Sequence, residues 1–351
     1  MPPSARFSPL LRAGARLASV ALVLLFGFGC GKVRERIPVI FDHDGATDDY
    51  LALLMLAGSG RCDLRGVTVS YGLGHRGAAL KATSMILRAL GLGVPVAAHD
   101  PALRGPNSFP DDWRDTSDQV IGLPILPLVD APSDRRDSAA LLIELLDDSK
   151  TPVTLVVTGP LTNIADLIAQ RPDLLAKIDR LVVMGGALDV PGNAPDAAIA
   201  AGGAEAEYNF YVDPVSADLV LEAAERGLQI VLAPLDVTNE LQLSADWLER
   251  LQRSESFGAR LAAGILGGVE PRVAAGEYYL WDGAAVLVLL SPESMHMKDF
   301  ALSVEREGPR QGRLRRDSSR TATIRVAAEV IEKSRPLETA LRWISDARPG
   351  P

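Results

Sequence analysis

Two cysteines, Cys30 and Cys62, are all that the 351-residue chain contains. With Cys30 read as a lipid-bearing residue, Cys62 has no partner in the chain, so no disulfide framework supports the fold. Cys62 then reads as a buried, inert thiol. Basic charge is also short: 36 Lys and Arg face 45 Asp and Glu, a formal charge of −9. Three arginines (Arg6, Arg12, Arg16) fall in the first 29 residues, which hold no acid, so the remainder is more acidic still. Such a surface excludes nucleic-acid backbone as a partner. The N-terminal apolar run, residues 17 to 28, is shorter than the roughly 20 residues a membrane-spanning helix needs. A basic stretch, that run and then GFGCGK read as a secretory signal over residues 1–29, followed by a short tether, 30–36. Gly29 and Cys30 fit cleavage and lipid attachment at Cys30, while Gly27 and Phe28 match that pattern poorly. A plain signal peptide or an uncleaved anchor is the alternative. The expected location is the bacterial cell envelope or periplasm, with membrane contact only through the lipid.

What the chain does have is enough apolar residue, 47%, for a large core. Apolar β-rich runs alternate with helical patterns. PVIFD precedes a helix from about 48 to 58, and LRGVTVS one from about 76 to 90. TPVTLVVTG precedes a helix from near Leu161, and one from about 214 to 226 precedes LQIVLAP. Strands apolar on both faces and separated by helices imply an α/β fold: an open, mostly parallel twisted sheet with helices on both faces. Residues 37–351 read as one domain. Ligands in such sheets sit beyond the carboxyl ends of the strands. An aspartate cluster, TGP at 158–160 and MGG at 184–186 all fall there. Residues 101–132, rich in Pro, Asp and Gly, read as a long loop over that rim.

The cluster is DHDGATDD, with Asp42, Asp44, Asp48 and Asp49 between an apolar run and a helix. Two carboxylates about 5 Å apart repel by roughly 3 kcal/mol at an effective dielectric near 20. Several together need a cation or shifted pKa values. Capping of the helix by Asp48 or Asp49 accounts for one acid and not for four. Oxygen donors suit a hard cation, Ca²⁺ or Mg²⁺. FDHDG also resembles the haloacid-dehalogenase phosphohydrolases. Here, however, an alanine separates the glycine from Thr47, and that family's late acidic motif is missing.

Taken together, five segments in order resemble the nucleoside hydrolases: DHDGATDD, VTGPLTNIA at 157–165, VVMGGALDVPGN at 182–193, AEYNFYVDP at 206–214 and EYYLWDGAAV at 277–286. DHDG, FPDDWR and the pair Trp281-Asp282 are similar to the purine-specific, inosine-adenosine-guanosine-preferring subgroup. The resemblance implies Ca²⁺-dependent hydrolysis of purine ribonucleosides to base and ribose. It implies that Asp44, Asp49, Asp282 and the Thr158 carbonyl hold Ca²⁺, with Asp44 also the general base. Asp48, Asn193, Glu207 and Asn209 would bind the ribose, Met184 would line the sugar pocket, and Trp113 and Trp281 would sandwich the base. Asn193, Glu207 and Asn209 also fit plain loop or turn chemistry. Asp42 is expected to orient the loop, and His43 to pack behind it. A homodimer is compatible with the resemblance.

Two departures stand out. Leu73 occupies a position where the family places a polar residue, so one polar contact to the nucleoside is expected to be absent. Trp281 replaces the histidine that pyrimidine-tolerant relatives carry before the late aspartate, which leaves no side chain to protonate the departing base. Two other functions therefore stay open: a nucleoside- or ribose-binding protein with little turnover, and a hydrolase of another N-riboside.

Overall fold

The computed structural model describes residues 35–99, 107–129, 137–194 and 205–351. The expected signal, the tether up to residue 34 and Cys30 lie outside these residues. Residues Glu35–Pro351 form one compact unit. No helix among the described residues is long and apolar enough to cross a membrane.

Among the described residues ten strands are formed: β1 Ile37–His43, β2 Cys62–Val69, β3 Val96–Ala98, β4 Val153–Val157, β5 Ile178–Met184, β6 Ile230–Ala233, β7 Met295–Phe300, β8 Leu302–Val304, β9 Leu314–Arg316 and β10 Ile324–Val330. Eight build the main sheet in the order β3-β2-β1-β4-β5-β6-β10-β7, and β8 pairs with β9 separately. Every pairing in the main sheet is parallel except that of β10 with the edge strand β7. Successive side chains of the central strands enter two different cores. Val39 and Phe41 of β1 join one, and Ile40 the other. In β4 Val156 faces the first core, whereas Val153, Leu155 and Val157 face the second. This period-two division makes apolar runs of the strands, because both faces are covered.

The strand order runs outward in opposite directions from β1 and β4. Connections leave that point on opposite sides, opening a crevice at the carboxyl ends of the two strands. The helix Thr47–Gly58 follows β1 directly, and its residues from Thr47 to Leu56 are all buried. It packs against the helices Trp281–Leu290 and Ser334–Asp346. A helix apolar all round is an interior helix, so its N-terminal acids are carried into the protein with it.

One sequence expectation needs correction. Within the span 101–132, read as a loop, residues Asp111–Asp118 form a helix that continues into a 3₁₀ turn, Gln119–Gly122. DDWRDTSD has no apolar stripe, and only Ser117 of the helix is buried. Its helical support is electrostatic and local. Pro110 precedes it, and Asp111 and Asp112 lie in the first turn, where negative charge meets the positive helix end.

Candidate active site

At the carboxyl ends of β1, β4 and β5 lies a cleft open to solvent on one side. Asp44, Asp48, Thr158 and Asp282 form its floor; Trp113, Met184, Asn193, Glu207, Asn209 and Trp281 also line it. Residues spread over more than 200 positions of sequence thus meet in one cavity. Asp49 is fully buried beneath the floor and does not line the cleft.

The turn after β1 sets the floor. Gly45 adopts φ 84°, a left-handed conformation that costs glycine little, and the chain reverses into the helix Thr47–Gly58. Asp49 Oδ2 accepts the Ala46 N–H at 2.8 Å and the Asp44 N–H at 3.2 Å, so Asp49 caps the helix it belongs to. Its other oxygen accepts the Thr158 hydroxyl at 2.5 Å. Asp44 Oδ2 accepts the Leu73 N–H at 2.9 Å. Leu73 therefore supports the acid with its backbone, while its side chain packs against a cluster of Phe109, Tyr208 and Val212.

Burial is the largest cause pushing the three floor acids, and Asp49 beneath them, up from the usual carboxylate range; Asp49 rises to about 7. Mutual repulsion adds to it at Asp44, Asp49 and Asp282. The acids contact one another in two side-chain pairs, Asp44 with Asp49 and Asp48 with Asp282. Two carboxyls at such range hold together through a shared proton or a shared cation. Among the described residues neither Lys nor Arg forms an ion pair with any of the four.

The donor chemistry fits a hard cation: carboxylate oxygens with the Thr158 carbonyl at the same floor, and no sulfur. Among the described residues, no three His, Cys, Asp or Glu side chains converge as a ready-made centre.

His43 and Asp42 stand behind the floor. His43 Nδ1 accepts the Gly45 N–H at 3.0 Å, which places the ring proton on Nε2, facing the Thr83 hydroxyl at 3.0 Å. Thr83 donates onward to the Ala79 carbonyl. Burial lowers His43 to about 4, against the opposing pull of Asp42 and Asp44, so the ring is neutral. Its 3.5 Å approach to Asp49 is accordingly not an ion pair. Asp42 Oδ2 accepts from Thr68 at 2.5 Å and from Asn163 at 2.7 Å, away from the cleft.

The sugar-side residues are held by backbone. Glu207 accepts the N–H groups of Gly186, Asn209 and Phe210, capping the helix Tyr208–Val212 and tying it to the end of β5. Burial raises its carboxyl to about 7. Asn209 spends its amide hydrogens on the carbonyls of Thr158 (3.0 Å) and Met184 (3.3 Å), and Asn193 Oδ1 accepts the Tyr208 N–H at 3.0 Å. Asn193 Nδ2 and Asn209 Oδ1 remain as their polar atoms for a ligand. Turn chemistry and a place in the cleft thus coexist in all three residues.

The upper wall is aromatic. Phe109 stacks on Tyr208 at 4.5 Å, and Trp113 leans on Tyr208 at 5.3 Å. Trp281 meets Tyr278 edge-on at 5.0 Å. Tyr278 donates to Asp48 at 3.4 Å, joining this wall to the floor. Lining residues that the sequence did not single out include Phe109, Tyr208, Arg272 and Ala46. The first two lie inside quoted motifs, FPDDWR and AEYNFYVDP, and motif membership was the signal for them. Arg272, in the helix Glu270–Ala274, has no such signal.

The sequence model described as inosine-uridine preferring nucleoside hydrolase matches residues 39–335, which include the whole floor and wall. The chain belongs to that family. Its activity is accordingly hydrolysis of the N-glycosidic bond of ribonucleosides. The structure of an inosine-uridine preferring nucleoside hydrolase from Bacillus anthracis superposes on this nucleoside hydrolase with a TM-score of 0.79. The two are 29% identical, over 88% of this chain and 99% of the other. A purine-preferring ribonucleoside hydrolase from Gardnerella vaginalis gives 0.74 at 25% identity, covering 88% and 98%. Among curated sequences, the pyrimidine-specific ribonucleoside hydrolase RihA of Photobacterium profundum is 32% identical over 77% of this chain and 85% of its own length. The RihA of Citrobacter koseri is 33% identical over 66% and 70%. Relatives named for pyrimidines and for purines thus both resemble this hydrolase.

Proposed function

We propose that the protein is a Ca²⁺-dependent hydrolase of purine ribonucleosides, releasing base and ribose. The observation that carries this reading is one cleft with a carboxylate floor below a wall of Trp113, Tyr208, Tyr278 and Trp281. The floor suits a polyhydroxyl sugar and the wall a large flat base. Asp44, Asp49, Asp282 and the Thr158 carbonyl would hold the ion. When bound, Ca²⁺ supplies positive charge that neutralises the acids and makes nearby oxygen ligands more acidic.

The chain's own groups do the rest. Asp44, at the cleft floor and held by the Leu73 N–H, would act as the general base for the attacking water. Asp48, Asn193 and Asn209 present polar atoms to the ribose. The aromatic walls would flank the bond that breaks, whose transition state has oxocarbenium character.

The test is release of base and ribose from inosine, guanosine, adenosine, uridine and cytidine, before and after chelation and with Ca²⁺ restored. Purine turnover that disappears with chelator and returns with Ca²⁺ is expected. Turnover of uridine and cytidine alone would replace the purine reading with a pyrimidine one, which the names of the curated relatives favour. Nucleoside binding without product would make this a binding protein.

A further inference from the structure

Arg272 lines the cleft at its aromatic end, and among the described residues it is the one Lys, Arg or His that does. Its guanidinium carbon stands 5.2 Å from the centroid of the Trp113 ring and 5.5 Å from that of Tyr278. A flat cation over two ring faces is held in plane by their quadrupoles. Its polar partners are few. Nη2 reaches the Glu277 carbonyl at 3.4 Å, and no carboxylate among the described residues forms an ion pair with it. A guanidinium has five N–H donors and no acceptor, so most of its hydrogen-bonding capacity faces ligand or solvent. Tyr278, over whose ring it lies, turns its hydroxyl to Asp48.

We propose that Arg272 is a specificity-determining residue that selects nucleosides whose base carries a carbonyl over those carrying an amine at the equivalent edge. This inference rests on the reading of the cleft as a nucleoside site with its base against the aromatic wall. A 6-oxopurine presents two adjacent acceptors, O6 and N7, which match two parallel N–H groups of a guanidinium. Adenine presents N7 beside an amino group, which sets donor against donor and leaves the guanidinium without its second acceptor. Uracil and cytosine differ in the same sense at O4 and N4.

The same contact assists departure of the base. As C1′–N breaks, its electron pair leaves with the base and spreads onto the ring nitrogens and the carbonyl oxygen. Arg272 stays protonated and hydrogen-bonds that oxygen. Water adds its hydroxyl to C1′, its proton passes to Asp44 and on to solvent, and solvent returns one proton to the base. Leaving-group stabilisation then needs no histidine beside Asp282.

The experiment compares kcat/KM of the wild type, Arg272→Met and Arg272→Lys on inosine, adenosine, uridine, cytidine and p-nitrophenyl β-D-riboside, whose leaving group needs no donor. The wild type should favour each oxo base over its amino counterpart by at least about tenfold, the range of one charged hydrogen bond. Arg272→Met should lower the oxo-base values by about that factor and leave the amino bases and the nitrophenyl riboside within about threefold. Arg272→Lys should fall between. Equal losses on oxo and amino bases, no oxo preference in the wild type, or loss of nitrophenyl activity in both variants would overturn the assignment. Absence of purine turnover alone would instead refute the purine reading, with the uridine-to-cytidine ratio still deciding the role of Arg272.

Discussion

Replacing Gly72 by alanine should disable the floor of the cleft without attacking any acid in it. A Cβ at residue 72 would lie 2.1 Å from Asp44 Oδ2, 2.4 Å from its Cβ and 2.6 Å from its Cγ. These distances are too short for any carbon or oxygen pair, so Asp44 or its loop must move. The Gly72 φ is not in the left-handed region, so alanine is excluded by space alone. Movement of Asp44 breaks its hydrogen bond from Leu73, at about 1.5–3 kcal/mol for a charged acceptor. Overpacking adds roughly 1–3 kcal/mol. The sum, about 2.5–6 kcal/mol, is a cost to the folded site; displacing the general base predicts about a hundredfold loss or more in kcat/KM and a large loss of Ca²⁺ affinity by calorimetric titration. A fall in melting temperature should accompany it. Gly77→Ala is the control, since its Cβ would meet nothing within 4 Å, and it should leave rate and affinity unchanged. A Gly72→Ala enzyme with wild-type Ca²⁺ affinity and rate would refute the claim that Asp44 must sit where it does.

The remaining predictions concern stability and the base. Glu207 is raised from 4.5 to about 7 by burial, so the folded protein keeps a proton that the unfolded chain releases above pH 4.5. The stability tied to that proton is complete below pH 4.5 and lost as pH rises through about 7. Chelator-treated protein should thus melt lower at pH 8 than at pH 5.5, and a higher melting temperature at pH 8 would contradict the sign. Asn163→Ala removes one of the two donors to Asp42 Oδ2 inside the protein, and should cost about 1–3 kcal/mol. Urea unfolding with an unchanged midpoint would show that bond to be idle. Trp113 is 36% exposed, so Trp113→Ala should alter the melting temperature little while raising KM for inosine about tenfold, the range of a base stack. An unchanged KM would remove Trp113 from the base site.

Much of this architecture is legible in the sequence because its physics is local or periodic. Strands such as PVIFD and TLVV read plainly, since burial on both faces leaves uninterrupted apolar runs. The helix Thr47–Gly58 announces itself by apolar content and by acids at its start. The helix Asp111–Asp118 does not, because it buries one serine and its stabilisation comes from charge at its N-terminus. The acids were legible as a cluster, but their division is a matter of geometry. Asp48 and Asp49 lie one residue, about 100°, apart on a helix, which turns Asp48 to the cleft and Asp49 beneath it. Leu73 shows the limit of reading side chains alone: its letter signals a lost polar contact, whereas its backbone N–H supports Asp44. Arg272 acquires meaning only when Trp113 and Tyr278, far away in sequence, are brought beside it.

Because β1 pairs on both sides, with β2 and with β4, its register is locked twice. The alternation of its side chains hands Asp42 and His43 to opposite faces, and Asp44 emerges just past its end. A one-residue slip would push a neutral imidazole toward the acids and bring Asp42 out of reach of Thr68 and Asn163. The central strand therefore acts as a ruler for charge. It admits one carboxylate to the cleft at its own end, and changes in length there are barred while the walls above remain free to vary.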